Sequence, residues 1–255
     1  MIDAKNLTLT FLQGKAELKV LSDLSFHADP GEIVSVIGPS GCGKTSLLNI
    51  FAGLLTPTSG AVSINGVIPE TARKKQLSSY VFQKPVLFEW RTLLKNVLLP
   101  SELKGSRLDI DCKRRANELL DLMGLKDFKD YYPHQVSGGM QARASLARAY
   151  LTDPKVLLMD EPFASLDQIS RDKMSTTLLD INKRSRATVV FVTHSIEEAV
   201  FISDRVYLMS PLPSTFELSL EISFHKERKL ELRDTREFIE YTRILRKRLE
   251  GNGYD

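Results

Sequence analysis

The run Gly38-Pro39-Ser40-Gly41-Cys42-Gly43-Lys44-Thr45, followed by Ser46, has the spacing GxxxxGK[ST] of a loop that cradles phosphates. Glycines let successive backbone N–H groups curl around phosphate oxygens. At these positions Lys44 would reach the β- and γ-phosphates, and the Thr45 hydroxyl would ligate Mg²⁺. A glycine loop with no ligand is the competing reading, and the flanks weigh against it. Ile33–Ile37 reads as a buried strand, and residues from Lys44 to about Gly53 read as a helix with Leu47, Leu48 and Phe51 on its apolar side. The N-terminus of that helix adds partial positive charge where an anion would sit. Cys42 reads as a small loop filler, the alternative being an exposed thiol activated near a helix N-terminus.

A second group able to do chemistry lies at Val156-Leu157-Leu158-Met159-Asp160-Glu161-Pro162, an apolar strand ending in two carboxylates. In a parallel sheet the carboxyl end of a strand faces the ligand crevice. There Asp160 can hold Mg²⁺, and Glu161 can polarise an attacking water. Without the phosphate loop, a solvated acidic turn would explain this pair equally well.

These groups must be positioned by a framework, and the hydrophobic pattern indicates one. Leu7, Leu9 and Phe11 alternate with polar residues as in a half-buried strand, a second short strand falls at Leu24–Phe26, and Pro30-Gly31 is a turn. Asn65-Gly66 between apolar flanks predicts a hairpin over Val62–Ile68. Residues of about 90–155 are mostly helical in pattern. Then come the strand Val156–Met159, a helix over about 167–184, the strand Thr188–Val192 and the strand Arg205–Met209. Ser195-Ile196-Glu197-Glu198 has capping-box spacing and predicts another helix start. Strands alternating with helices predict a largely parallel sheet covered on both faces. Pro211 and Pro213 read as a boundary. Beyond it Phe216, Leu218, Leu220, Ile222 and Phe224 alternate with polar residues as one strand, and Arg236–Leu249 reads as a helix rich in Lys and Arg. The predicted organisation is a domain over 1–210, its helical subdomain at about 90–155, and a strand–helix appendage over 211–255.

Bulk properties narrow the class. The chain has 255 residues, 42% of them hydrophobic and 26% charged, with a net charge of +3. That suits one large α/β domain and gives no argument for nucleic acid. Two cysteines, Cys42 and Cys112, in no CxxC pattern disfavour a disulfide framework or a thiolate metal site. No apolar run approaches the roughly 18–20 residues that span a bilayer. Met1-Ile2-Asp3-Ala4-Lys5 lacks the basic patch and apolar stretch of a signal peptide. Work at a membrane would therefore need a partner.

Val136-Ser137-Gly138-Gly139-Met140-Gln141, placed before the acidic strand, resembles the LSGGQ signature of ABC ATPases. Further pieces follow in that family's order. Gln83 resembles the Q-loop glutamine, Ser165-Leu166-Asp167 the D-loop, His194 the switch histidine, and Phe11 the aromatic residue that stacks on adenine. Phe11 also reads as core at the end of an alternating strand, and Gln83 as a solvated loop residue. His27, His134 and His225 have no such context. The resemblance covers about residues 2–210. It implies a P-loop NTPase core of mostly parallel sheet, with an antiparallel β subdomain and a helical signature subdomain. It also implies a head-to-tail homodimer with ATP between the Gly38–Thr45 loop of one copy and Ser137–Gly139 of the other. Gln83 would join Thr45 and Asp160 at Mg²⁺, His194 would bond the γ-phosphate, and Asp167 would bridge the two sites. Val136 and Met140 depart from the usual signature, but its serine and both glycines remain. Those glycines follow a good N-cap and leave backbone N–H groups for an anion.

Pro85-Val86-Leu87-Phe88-Glu89-Trp90-Arg91-Thr92-Leu93 and Phe163-Ala164-Ser165-Leu166-Asp167 resemble segments of the ATPases of importers for nitrate, sulfonates, taurine and pyrimidine precursors. The resemblance implies a transmembrane permease partner, a solute-binding protein acting indirectly, and a place on the cytoplasmic face of a bacterial inner membrane, held there through the permease. Glu89 stands where that stretch usually has proline. Val86, Leu87, Phe88 and Trp90 would line a groove for a partner helix or pack the helical subdomain. Two other readings remain at this level. One is an ABC ATPase acting on nucleic acid or ribosomes, which usually has two such domains or a long coiled-coil insertion. The other is a non-hydrolytic regulator, which Glu161 and His194 argue against.

Overall fold

The computed structural model of the chain describes residues 1–14, 16–104, 109–224 and 227–251. The N-terminal part runs β1 (Ile2–Gln13), β2 (Ala16–Ala28), β3 (Ile33–Ile37), α1 (Lys44–Phe51) and β4 (Ser59–Ile64). A short α2 (Pro69–Lys74) and β5 (Ser78–Val81) lead into a helical region of α3 (Leu93–Leu103), α4 (Ile110–Leu122) and α5 (Gly138–Leu151). The chain then alternates β6 (Val156–Asp160), α6 (Gln168–Ser185), β7 (Thr188–Val192), α7 (Ile196–Ile202) and β8 (Arg205–Met209). It closes with β9 (Phe216–Glu221) and α8 (Arg236–Glu250).

Two sheets result. One is a three-stranded antiparallel sheet in the order β2-β1-β4, the other a six-stranded sheet in the order β5-β6-β7-β3-β8-β9. The latter is parallel except where β9 joins β8. Every residue of β3, β6 and β7 is buried, which is why these strands read as largely apolar runs, with only Ser35, Asp160 and Thr188 polar. Their alternate side chains feed two cores. Ile33, Ile37, Leu157, Met159, Val189 and Phe191 pack with the helical region and the C-terminal segment. Val34, Val36, Leu158, Val190 and Val192 pack with α1 and the antiparallel sheet. The central sheet is thus clamped on both faces, and its carboxyl edge is held as a rigid rim.

Three local expectations change. The second strand is the long β2, not a short segment, because it pairs with β1 from the hairpin at Gln13↔Ala16 to Ile2↔Ala28. Its first four residues are exposed, so no burial alternation marks them in the sequence. Asn65-Gly66 does form a tight turn, closed by Ile64 and Val67. Its returning arm stops there because Pro69 opens α2, and β4 pairs with β1 instead. β9 ends at Glu221 rather than running to Phe224, since its partner β8 begins at the paired Arg205. The C-terminal segment is packed into the body of the molecule. Leu232, Phe238 and Leu245 are buried in the same core as β6 and β7, and Arg246 donates to Glu197 at 3.0 Å.

Candidate functional site

The loop after β3 wraps the N-terminus of α1. Gly43 is the N-cap at φ 101°, a left-handed backbone that favours glycine, and a Cβ there would stand 2.7 Å from Val20. The helix carries no acid in its first turn and no side-chain cap, so its leading N–H groups stay open to an anion. Lys44 is 8% exposed and donates from Nζ to the carbonyls of Gly38 and Pro39, both at 2.8 Å. Its ammonium is thereby held over the loop.

The carboxyl end of β6 brings the acids to this loop. Thr45 Oγ1 donates to Asp160 Oδ2 at 2.8 Å. Burial pushes the Asp160 carboxyl above its ordinary value, against the Thr45 hydrogen bond, and the Glu161 charge pushes it further up. Lys44 and a hydrogen bond from Tyr80 on the adjoining β5 pull it down. Glu161 has a left-handed backbone, φ 45°, pinned by its N–H to the Val192 carbonyl at 3.0 Å. A non-glycine residue in that conformation costs on the order of 1–2 kcal/mol. The pin turns its carboxylate to Gln83 Nε2 at 3.0 Å and His194 Nδ1 at 3.3 Å. These three side chains and Gly38, Ser40, Gly41, Gly43, Lys44, Thr45 and Ser46 line one cleft of about 520 Å³.

The donor set fits Mg²⁺. Thr45 and Asp160 offer oxygen, and Gln83 spends its amide nitrogen on Glu161, leaving a carbonyl oxygen. Among the described residues no cluster of three or more His, Cys, Asp or Glu could cage a metal alone. A cation that keeps waters and shares phosphate oxygens needs no such cage.

Other predicted residues lie elsewhere. Pro39 serves through its carbonyl. The Cys42 side chain is 1% exposed and burial raises its pKa, so the exposed, activated thiol is ruled out and the loop-filler reading stands. Phe11 is 38% exposed on the β1–β2 hairpin, outside the cleft and outside the core. Ser137 is the N-cap of α5, accepting from Met140 N at 3.3 Å, and Gly138 is exposed with open space beside it. Ser137–Gly139 do not line the cleft of their own chain. Asp167 caps α6, accepting from Ser170 N at 3.0 Å and from its hydroxyl at 2.7 Å. His27 sits with Asp29 and Asp3, and His134 stacks on Tyr132, while His225 lies outside the described residues. Leu87 is buried, whereas Val86, Phe88 and Trp90 are exposed.

Sequence reasoning missed two supporting groups. Tyr80 beside Asp160 is visible only once β5 and β6 pair. Glu198 occupies the glutamate position of the predicted capping box. Ser195 Oγ does accept from Glu198 N at 3.2 Å, but the Glu198 carboxylate goes to Thr193 and Arg171 instead of reaching back to the cap.

Comparison with known proteins bears on this geometry. A family model described as "ABC transporter" matches residues 21–164. The chain is 41% identical over 224 residues to a taurine import ATP-binding protein of Jannaschia sp., covering 88% of this chain and 82% of that one. It is 35% identical to a nitrate import ATP-binding protein of Synechocystis sp., covering 98% and 95% of the two chains. An aliphatic sulfonates import ATP-binding protein of Bacillus cereus is 38% identical, covering 83% and 82%. Among solved structures, a dimeric ATP-binding cassette in a post-hydrolysis state with ADP and Pi superposes with a TM-score of 0.80. It is 31% identical and covers 88% of this chain and all of that one.

Proposed function

This chain belongs to the ABC transporter family, and from that premise we propose how its residues divide the work. The chain is an ATP-binding and ATP-hydrolysing subunit of an importer and works with a membrane permease as part of a dimeric cassette. No helix among the described residues is long and apolar enough to cross a membrane.

In our reading the Gly38–Ser46 loop and Lys44 hold the β- and γ-phosphates, and Phe11 stacks on the adenine of the bound nucleotide. Mg²⁺ is held by Thr45, Asp160 and Gln83, and supplies charge neutralisation at the transferring phosphoryl group. Glu161 takes a proton from the attacking water. His194 orients that water and bonds the γ-phosphate. The observation that carries this reading is the separation of the two halves of the site. Loop, Glu161, Gln83 and His194 share one cleft, with Asp160 bonded to Thr45 of that loop, while Ser137–Gly139 lie outside it at the N-terminus of α5. A second copy docked head to tail brings that anion-binding terminus onto the γ-phosphate. Asp167, exposed at the start of α6, then faces the other copy. Closure of the dimer does the mechanical work on the permease, and hydrolysis resets it.

Residues 1–210 form the ATPase unit in this scheme, with its helical part at about 90–155. The described residues beyond 210 buttress the sheet through Ile222, Leu232, Phe238 and Leu245. The relatives' names point to a small oxyanion-bearing solute, taurine, an alkanesulfonate or nitrate, delivered by a separate binding protein. The subunit then sits on the cytoplasmic face of the membrane. The test is reconstitution of the chain with its permease and binding protein in liposomes. ATP-dependent uptake of one of these solutes is expected. Hydrolysis that none of them stimulates would overturn the solute assignment.

A further inference from the structure

Glu198 is a carboxylate with 5% exposure that has no role in the chemistry above. Its position links three loops that do. Thr193, 2% exposed, donates its hydroxyl to Glu198 Oε2 at 2.6 Å and accepts from Ser195 N at 3.0 Å. One hydroxyl therefore pins the backbone on both sides of His194. The other carboxylate oxygen, Glu198 Oε1, lies 3.2 Å from Arg171 Nε on α6. Arg171 Nη2 donates to the Leu166 carbonyl at 3.2 Å, in the turn just before Asp167. Leu166 in turn packs against Gly139, where a Cβ would stand 2.8 Å from Leu166 Cδ2. Beside this chain Arg233 bonds Asp172 at 2.7 Å and lies over the Phe201 ring at 4.9 Å, which fixes α6 against α7.

We propose that Thr193, Glu198 and Arg171 form a positioning relay, which sets His194 against Glu161 according to how the Leu166–Asp167 turn and the Gly139 loop are seated. The inference rests on the roles proposed above for His194 and for Ser137–Gly139. In the head-to-tail dimer a chain's own signature loop serves its partner's ATP. The relay therefore makes hydrolysis in one site depend on closure of the other. Charge pairs with little water access suit this purpose, because removing one partner leaves the other uncompensated and the geometry cannot drift cheaply.

The test uses the full chain with Mg-ATP, reading kcat, KM and the thermal melt together. Thr193→Val and Glu198→Gln should each lower kcat by about tenfold while KM for ATP stays within about twofold, as for a displaced but uncontacted catalytic group. Thr193→Ser, which keeps the hydroxyl, should restore the parent rate. The double variant should be no slower than the slower single one, since both cut the same chain. Parent kcat in Thr193→Val, or losses that multiply in the double variant, would overturn the relay. If Glu198→Gln does not fold, the Thr193 pair decides alone. His194→Ala separates the two levels of inference. An inactive His194→Ala beside a fully active Thr193→Val removes only the relay, whereas an active His194→Ala removes the site assignment beneath it.

Discussion

The Thr45 hydroxyl donates to the Asp160 carboxylate at 2.8 Å, joining the first turn of α1 to the end of β6. That contact sets the two oxygens proposed to hold Mg²⁺ side by side, and the carboxylate it joins is buried. Burial raises the Asp160 pKa, and the adjacent Glu161 charge adds to the rise. A carboxyl raised in the folded state binds its proton more tightly there than in the unfolded chain. The stability it contributes is then present at low pH and falls as pH climbs from the ordinary aspartate value through the raised one. Asp160→Asn should therefore melt above the parent at pH 7 in the absence of nucleotide, and the gap should close below about pH 3, where the carboxyl is neutral in both the folded and the unfolded chain. The same variant should lose Mg²⁺-dependent hydrolysis. Calorimetry across pH checks the first part. A variant that melts lower at pH 7 would show that the carboxylate stabilises the fold.

Glu161 is aimed by its left-handed backbone at Gln83 and His194. Glutamine keeps that shape and those contacts but cannot accept a proton from water. Loss of a general base costs typically about 10²–10⁴ in rate. Glu161→Gln should bind Mg-ATP as the parent does, turn over at least about a hundredfold more slowly, and accumulate as a dimer on size exclusion. Equal rates in the two proteins would remove Glu161 from the chemistry.

The two signature glycines separate stability from function. A Cβ on Gly138 meets nothing within 4 Å, whereas one on Gly139 stands 2.8 Å from Leu166 Cδ2. Gly138→Ala should keep the parent melting temperature, because surface changes away from such contacts are usually within about 0.5 kcal/mol. Its methyl group would nonetheless crowd the γ-phosphate of the partner's ATP. Nucleotide binding by the monomer is expected to be unchanged, with hydrolysis lost. Gly139→Ala should lose hydrolysis and also melt lower. Full activity in Gly138→Ala, measured at saturating ATP, would refute closure in trans.

Much of this was legible in the sequence because the site is built on short motifs at strand ends. Gly38–Thr45, Asp160-Glu161 and His194 each lie at or just beyond the end of a fully buried strand, and such strands announce themselves as largely apolar runs. The loop positions of Gln83 and Asp167 were readable only through resemblance, since neither spacing nor periodicity marks them. The illegible parts depend on tertiary pairing. Exposed β2 carries no burial alternation, β9 stops where β8 runs out, and Tyr80 reaches Asp160 only across a parallel pair. The carboxylate of Glu198 reads as a helix cap because Ser195-Ile196-Glu197-Glu198 has capping-box spacing. Its actual partners are Thr193, in the loop between β7 and α7, and Arg171 on α6.

The apolar segment after Gln83 divides in the structure, and the division makes its two readings separable. Leu87 is 9% exposed and belongs to the helical core, while Trp90 is 74% exposed and stacks on Phe88 with ring centroids 4.8 Å apart. The backbone between them is fixed without help from the indole. Asn96 Oδ1 accepts from Phe88 N at 2.8 Å, and its amide donates to the carbonyls of Phe88, Arg91 and Thr92. Leu87→Ala should thus destabilise the fold by about 2–5 kcal/mol, the usual cost of a buried Leu truncation. Trp90→Ala should change stability by no more than about 0.5 kcal/mol and leave the ATPase rate of the isolated chain intact. A large aromatic residue left in water on a rigid loop is the kind of anchor that dominates an interface, worth about 2 kcal/mol or more when truncated. Trp90→Ala should accordingly weaken copurification with the permease by at least about thirtyfold. Retained copurification, with the melt and the basal ATPase rate both unchanged, would place the permease contact elsewhere on the chain.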